Sequence, residues 1–275
     1  MESKLPCASG KGSRVILDVA GERIAIASEF LGFAIRTLTS IPRAALRRGS
    51  EVVRQFERVA WGSLPIVVIA GLSVGVVTWL QTRRLLVTYG VESTLPSILA
   101  AAVLVETGPM LAALMVAGKM GAGLGAELGS MVLTEEIDAL EVLGAPPIPT
   151  LVAPRALACA LAVPFLTVVL DAAAILGGLL AEWLGGEMTA QVYGQKSLLF
   201  LKLSDVIPAT LKTSVFGLLV GVIGCWVGLR ADRSAESVGK AATRGVVATM
   251  AAVFAANMAI VPMIQAAAAA LGWTA

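Results

Sequence analysis

Five apolar stretches, each long enough to cross a membrane as a helix, place the strongest constraint on how this chain folds. They cover about residues 61–80, 97–118, 156–181, 206–229 and 245–271. About 20 apolar residues span the hydrocarbon core of a bilayer, where an isolated segment satisfies its backbone hydrogen bonds as a helix. Because 57% of the residues are hydrophobic and only 15% are charged, we predict an all-α integral membrane protein. Its transmembrane domain is predicted at residues 59–275.

The N-terminal region is too polar to cross the membrane. Residues 1–14 form a polar tail, and residues 15–58 combine apolar residues at helical spacing with charged ones, which predicts an amphipathic helix in the membrane interface. Six arginines lie between residues 36 and 58. If the N-terminus is cytoplasmic, sixteen of the 21 Lys and Arg residues fall inside, as the positive-inside rule requires. Five spans then place the C-terminus on the other side.

Composition and spacing argue against several classes of function. The chain has no histidine, which is the commonest general base and metal ligand, and its cysteines lack metal-ligand spacing. No metal site and no catalytic residues are therefore predicted. The net charge of +2 gives no argument for a nucleic-acid partner.

No segment matches a nucleotide-binding motif. The run from Gly10 to Ser13 lacks the spacer and second glycine of a phosphate-binding loop, and Lys119 is not followed by Ser or Thr. We therefore expect no cofactor in this chain. If ATP drives the protein, a partner subunit binds it.

Small residues recur at every fourth position from the end of the second span onwards, at Ala117, Gly121, Gly125 and Gly129. On a helix this spacing forms one stripe against which another helix backbone can approach closely. The stripe predicts close helix packing, either within one subunit or at a subunit interface.

A short acidic helix is predicted at residues 135–143, with Thr134 as its N-cap and Gly144 as its stop signal. Its apolar and acidic residues occupy different faces, which suits docking to a soluble partner; a solvated surface helix is the alternative. The residues proposed for docking are Glu135, Glu136, Ile137, Asp138, Leu140, Glu141 and Leu143.

Glu106 lies about nine residues inside the second span, where a carboxylate is costly unless it is neutral, paired or facing a wet cavity. Lys212 and Asn257 are candidate neighbours by depth. The acid fits either a substrate cavity or gating contact, or a hydrogen-bonded packing role. Asp171 in the third span is a weaker candidate, and Pro109 could kink the second span and open a cleft.

Seven motifs in this chain resemble those of the MlaE/YrbE family, the permease subunits of ABC transporters that work with MCE-domain lipid-binding proteins. They are ETGP (106–109), AGKMGA (117–122), AELG (126–129), TEEIDALEVLG (134–144), PR (154–155), GCWVGLR (224–230) and GKAATR (239–244). The resemblance extends from about residue 15 to the C-terminus.

The resemblance implies a homodimeric permease in a bacterial inner membrane, with a cytoplasmic N-terminus and a periplasmic C-terminus. Residues 135–143 match a cytoplasmic coupling helix that docks on a separate dimer of ABC ATPase subunits. A hexameric ring of MCE proteins is expected on the outer face, and the substrates are membrane lipids, usually phospholipids.

Glu106 matches a family acid near the lipid cavity, to which we assign Pro109 and Asn257 as further candidates. Some family members have arginine immediately before this acid, whereas Val105 stands here.

Three hypotheses follow from these observations. The first is a lipid-transporting ABC permease driven through residues 135–143. The second is a proton-coupled secondary transporter that uses Glu106 or Asp171 as its proton site. The third is a structural subunit that only anchors the MCE ring.

Overall fold

The computed structural model describes the backbone of residues 9–186, 188–199 and 203–270, and the side chains within these ranges except 9–24, 198–199, 203–205 and 267–269. The described residues contain helices and no strand, which confirms the predicted all-α fold. The helices are α1 (Ser9–Arg47), α2 (Gly49–Tyr89), α3 (Leu95–Ala102), α4 (Gly108–Leu133), α5 (Glu136–Val142), α6 (Ala153–Gly185), α7 (Ala190–Leu199), α8 (Leu203–Leu229) and α9 (Ala235–Ala270).

Five helical segments of the described part are long and apolar enough to cross a membrane, as predicted. They are Gly49–Tyr89, Glu92–Leu133, Ile148–Gly185, Val206–Leu229 and Ala235–Ala266. Each contains most of one predicted span, and residue 271 of the last prediction lies outside the described residues. The second segment continues to Leu133, so the stripe of small residues belongs to the same helix as the second half of that span.

A break between two helices lies ten residues before residue 59, the predicted start of the transmembrane domain, and the domain boundary itself stays a prediction. The chain leaves the helical conformation at Arg48, where φ is −131° and ψ is 34°, and residues 49–58 belong to α2. Val52 and Val59 extend the buried face of α2 towards its beginning. The interfacial position of α1 stays a prediction, and residues 1–8 of the predicted polar tail lie outside the described residues.

Helix α6 occupies the centre of the bundle, where α2 packs along one side and α8 along another. Helix α4 packs against α8 and α9. Half of the most apolar stretch of the α6 segment is buried inside the chain, but only 11% of the corresponding stretch of α9 is buried. A single chain therefore leaves an extensive apolar face of α9 uncovered.

Candidate functional site

A polar site joins three spans around Glu106. The Nζ atom of Lys212 in α8 lies 2.7 Å from Oε2 of Glu106, and the side-chain amide of Asn257 in α9 donates a hydrogen bond of 2.6 Å to Oε1. The Lys212 side chain is only 3% exposed, whereas the Glu106 side chain is 43% exposed. The Lys212 ammonium group is thus buried behind a carboxylate that faces outwards. Lys212 and Asn257, the two neighbours predicted by depth, both contact Glu106.

The backbone at this site departs from the α-helix. Val103–Thr107 form a π-helical turn between α3 and α4, in which the Gly108 N–H bonds to the carbonyl of Val103. Such turns frequently occur at functional sites. Pro109 has no N–H to donate to the carbonyl four residues before it, and the Nζ atom of Lys212 lies 3.3 Å from that oxygen, on Val105. The same lysine therefore binds both the acid and the carbonyl that the proline leaves free.

Of the three residues assigned to the cavity, Glu106 lines the pocket that one chain forms, and Pro109 and Asn257 do not. Pro109 is buried, so its role is to shape the turn, and Asn257 supports Glu106 from α9. The pocket at the site measures about 80 Å³ and is lined by Val105, Glu106, Ala209, Lys212, Val261, Ile264 and Gln265. This volume is far below the roughly 300–1,000 Å³ of ordinary ligand pockets. One chain therefore presents a wall of a site that it does not enclose.

Asp171 lies behind the same turn and not in the pocket. Its carboxylate packs directly against Gly108, where a methyl group would not fit, and its Oδ1 atom has no hydrogen-bond partner among the described residues. Asp171 is 6% exposed. The structure therefore separates the two intramembrane acids that the sequence singled out, because only Glu106 reaches the pocket.

The stripe of small residues packs against α9 of the same chain. The Thr249 hydroxyl donates to the carbonyl of Ala117 over 3.1 Å. A Cβ on Gly125 would lie 2.7 Å from the carbonyl oxygen of Ala241, and one on Gly121 would collide with Thr249 and Gly245. Gly129 also faces this side, although less tightly. Of the two alternatives for the stripe, the packing within one subunit is the one observed.

The acidic helix begins one residue later than predicted. Glu135 has a φ of 60° and precedes α5 in the left-handed conformation. Thr134 is not the N-cap; its N–H bonds to Ser130 and closes the end of α4. The prediction failed because the sequence pattern cannot show that this threonine already belongs to the preceding turn. Gly144 ends the helix with a φ of 74°, as its position predicted.

The faces of α5 have different environments. Ile137 is buried, and Arg233 from the connection between α8 and α9 pairs with Glu135 over 3.2 Å and with Asp138. At the other end, Val142 is 88% exposed and Leu143 is 79% exposed. Glu136 and Glu141 are exposed and Leu140 is half-buried. The most prominent surface is thus an apolar tip, of which the sequence analysis singled out only Leu143.

An ion-pair network that the sequence analysis missed joins α2, α4 and α6. Glu127 of α4 accepts hydrogen bonds from Arg155 of α6 over 2.6 Å and from Arg58 of α2 over 3.1 Å. The Arg155 side chain is 8% exposed and also donates to the carbonyl of Leu151. The available signal was the presence of Glu127 and Arg155 in two of the family motifs. The network joins α4 and α6 on either side of α5.

Comparison with known proteins identifies the family. A family model described as Permease MlaE matches residues 52–263. A probable ABC transporter permease protein of Rickettsia bellii is 32% identical over 219 residues, which cover 80% of this chain and 84% of the relative. Another from Synechocystis sp. is 31% identical over 249 residues, which cover 90% of this chain and 93% of the relative.

A plant protein is also similar to this chain. The chloroplastic protein TRIGALACTOSYLDIACYLGLYCEROL 1 of Arabidopsis thaliana is 31% identical over 208 residues, which cover 76% of this chain and 59% of the relative. The family match, the bacterial relatives and the five spans agree with the resemblance found in the sequence. This chain belongs to the MlaE family of ABC transporter permeases.

Proposed function

We propose that this chain is the permease subunit of a transporter that moves lipids, most commonly phospholipids, between the inner membrane of a bacterium and an MCE-protein conduit. The observation that carries the proposal is the charged site of Glu106, Lys212 and Asn257 on an otherwise apolar wall. A lipid has the same division between a polar headgroup and apolar chains. The family and the name of the Arabidopsis relative support a lipid as substrate.

The exposure of Glu106 supports a homodimer. A carboxylate inside a span is costly when it faces acyl chains, so such residues face a bundle interior or a wet cavity. In one chain the Glu106 side chain is 43% exposed beside a pocket of about 80 Å³. A second copy facing this wall would complete a larger cavity and remove the acid from the bilayer.

Energy coupling is assigned to α5. We propose that the exposed tip at Val142 and Leu143, with the neighbouring Glu141, docks on a separate dimer of ABC ATPase subunits that binds ATP. Helix α5 lies between α4 and α6 in the chain, and the pair of Glu127 and Arg155, 2.6 Å long, ties those two helices together, so that a movement of the tip acts on both. Helix α4 begins directly after the turn that holds Glu106. Helix α4 alone therefore connects α5, which carries the tip, with the turn that lines the pocket.

The proposal places the N-terminus in the cytoplasm and the C-terminus in the periplasm, with a hexameric MCE ring on the periplasmic face. The support for this orientation is the distribution of Lys and Arg, and the support for the ring is the family. We do not propose the proton-coupled carrier, because the relatives are ABC transporter permeases.

Purification from the native host in mild detergent, with mass spectrometry of proteins and lipids, tests the assembly. We expect an ATPase subunit, an MCE protein and a bound lipid. A chain that purifies without an ATPase would contradict the proposal.

Lipid transfer by the reconstituted complex tests the site. Glu106→Gln should abolish ATP-dependent transfer while the complex still assembles. Glu57→Gln is the matched control, because Glu57 is exposed and has no ion pair among the described residues. Equal transfer by the two variants would show that the charge of Glu106 has no part in transport.

A further inference from the structure

A second polar pocket lies at the opposite end of α9 from the Glu106 site. Its volume is about 470 Å³, within the roughly 300–1,000 Å³ of ordinary ligand pockets. Helix α1, the end of α8 and the beginning of α9 enclose it. Its lining consists of Ile26, Trp226, Val227, Arg230, Ala231, Asp232, Ser237, Lys240, Ala241, Arg244 and Ala248.

Cations dominate the charge of this pocket. Arg230, Lys240 and Arg244 line it together with one acid, Asp232. No carboxylate lies within ion-pair distance of Arg244 among the residues that the structure describes. Lys240 pairs over 2.6 Å with Glu236, but both side chains are more than half exposed, so this pair is weak.

Arg230 is held in position as part of the wall. Its guanidinium lies 4.8 Å from the centre of the Trp226 ring and 2.9 Å from a carboxylate oxygen of Glu29 in α1. The rings of Phe30 and Phe33 also pack on Trp226, with their centres 5.7 Å and 5.0 Å from the centre of the Trp226 ring. The wall therefore consists of aromatic and cationic groups fixed by α1, while Lys240 and Arg244 remain available to a ligand.

From this juxtaposition we propose that the pocket binds the phosphate-bearing headgroup of an anionic phospholipid. Arg244 and Lys240 contact the phosphate, and Arg230 with Trp226 forms the back of the site. Basic pockets between membrane helices bind anionic headgroups in this way. The assignment to the cytoplasmic leaflet rests on the orientation proposed above. The headgroup site is separate from the Glu106 site, because Asn257 lies roughly 20 Å farther along α9 than Arg244.

Lipid retention by the purified chain in nanodiscs tests the proposal. The nanodiscs contain phosphatidylcholine with phosphatidylglycerol as the minor component, and native mass spectrometry counts the phosphatidylglycerol retained. The variant Lys240→Gln/Arg244→Gln should bind phosphatidylglycerol roughly 30-fold more weakly, since each cation near an anionic surface contributes roughly fivefold. Phosphatidylcholine retention should not change.

The variant Arg43→Gln/Arg47→Gln is the matched control, because it removes the same charge from exposed positions of α1 that do not line the pocket. Equal losses of phosphatidylglycerol in both variants would show that the overall charge of the chain, and not this pocket, retains the lipid, and would overturn the proposal. Unchanged retention in Lys240→Gln/Arg244→Gln would also overturn it, as would displacement of the lipid by inorganic phosphate alone. The measurement uses neither an ATPase nor transport, so its failure would leave the transport proposal standing.

Discussion

Replacement of Lys212 by methionine tests how the polar site is held together. Methionine is close to lysine in length but removes the 2.7 Å ion pair with Glu106 and the 3.3 Å contact with the Val105 carbonyl. A hydrogen bond to a charged group contributes about 1.5–3 kcal/mol to stability. Because the Glu106 side chain is 43% exposed and can bind water, the lower end of this range applies.

The expected loss is about 2 kcal/mol of unfolding free energy, in which the unpaired carbonyl of Val105 contributes a minor part. For a chain of this size that loss lowers the melting temperature by roughly 4–8 °C. Thermal unfolding in detergent, followed by tryptophan fluorescence, measures the shift.

The double variant Glu106→Gln/Lys212→Met distinguishes an ion pair from simple packing. With no charge left at the site, it should recover more than half of the lost melting temperature, because an unpaired acid causes most of the loss. ATP-dependent lipid transfer should be absent in the double variant, as in Glu106→Gln, even where its stability recovers. A double variant that is less stable than Lys212→Met would refute the reasoning, since Glu106 would then stabilise the fold without Lys212.

Three further predictions concern other parts of the chain. Gly125→Ala should lower the melting temperature, because its Cβ would lie 2.7 Å from a carbonyl of α9, whereas Gly123→Ala, in open space on the same helix, should raise it slightly; equal shifts would contradict the observed packing of the stripe. Val142→Asp/Leu143→Asp should abolish binding of the ATPase with little change in melting temperature, measured by co-purification, because both side chains are exposed; retained binding would exclude this tip as the docking surface. Glu135→Gly should be more stable than Glu135→Ala by about 1 kcal/mol, the reverse of the usual helix preference, because φ is 60° at this position; thermal unfolding of the pair decides it.

Depth within a span was enough to predict the partners of Glu106. Residues in neighbouring spans at the same distance from the membrane surface can meet, and Lys212 and Asn257 satisfy this condition. The role of Pro109 could not be predicted in the same way. Whether a proline opens a cleft or frees a carbonyl for a lysine depends on which helix packs behind it.

The coupling helix shows a similar limit. The acidic residues and the stop signal at Gly144 located α5 to within a residue at each end, because these signals act between near neighbours in the chain. They could not distinguish the buried Ile137 from the exposed Val142, since burial depends on α4 and on the connection from α8 to α9.

The class of the protein, the five spans, the position of the acidic helix and the costly acid in the second span could all be predicted from the order of the residues. Length, hydropathy and local spacing specify these features before any span meets another. The packed helices were needed to show that the small-residue stripe lies against α9, that Glu127 joins Arg155, and that three cations line one pocket with Trp226. Contacts between different helices create these sites, and no local pattern specifies which helices become neighbours.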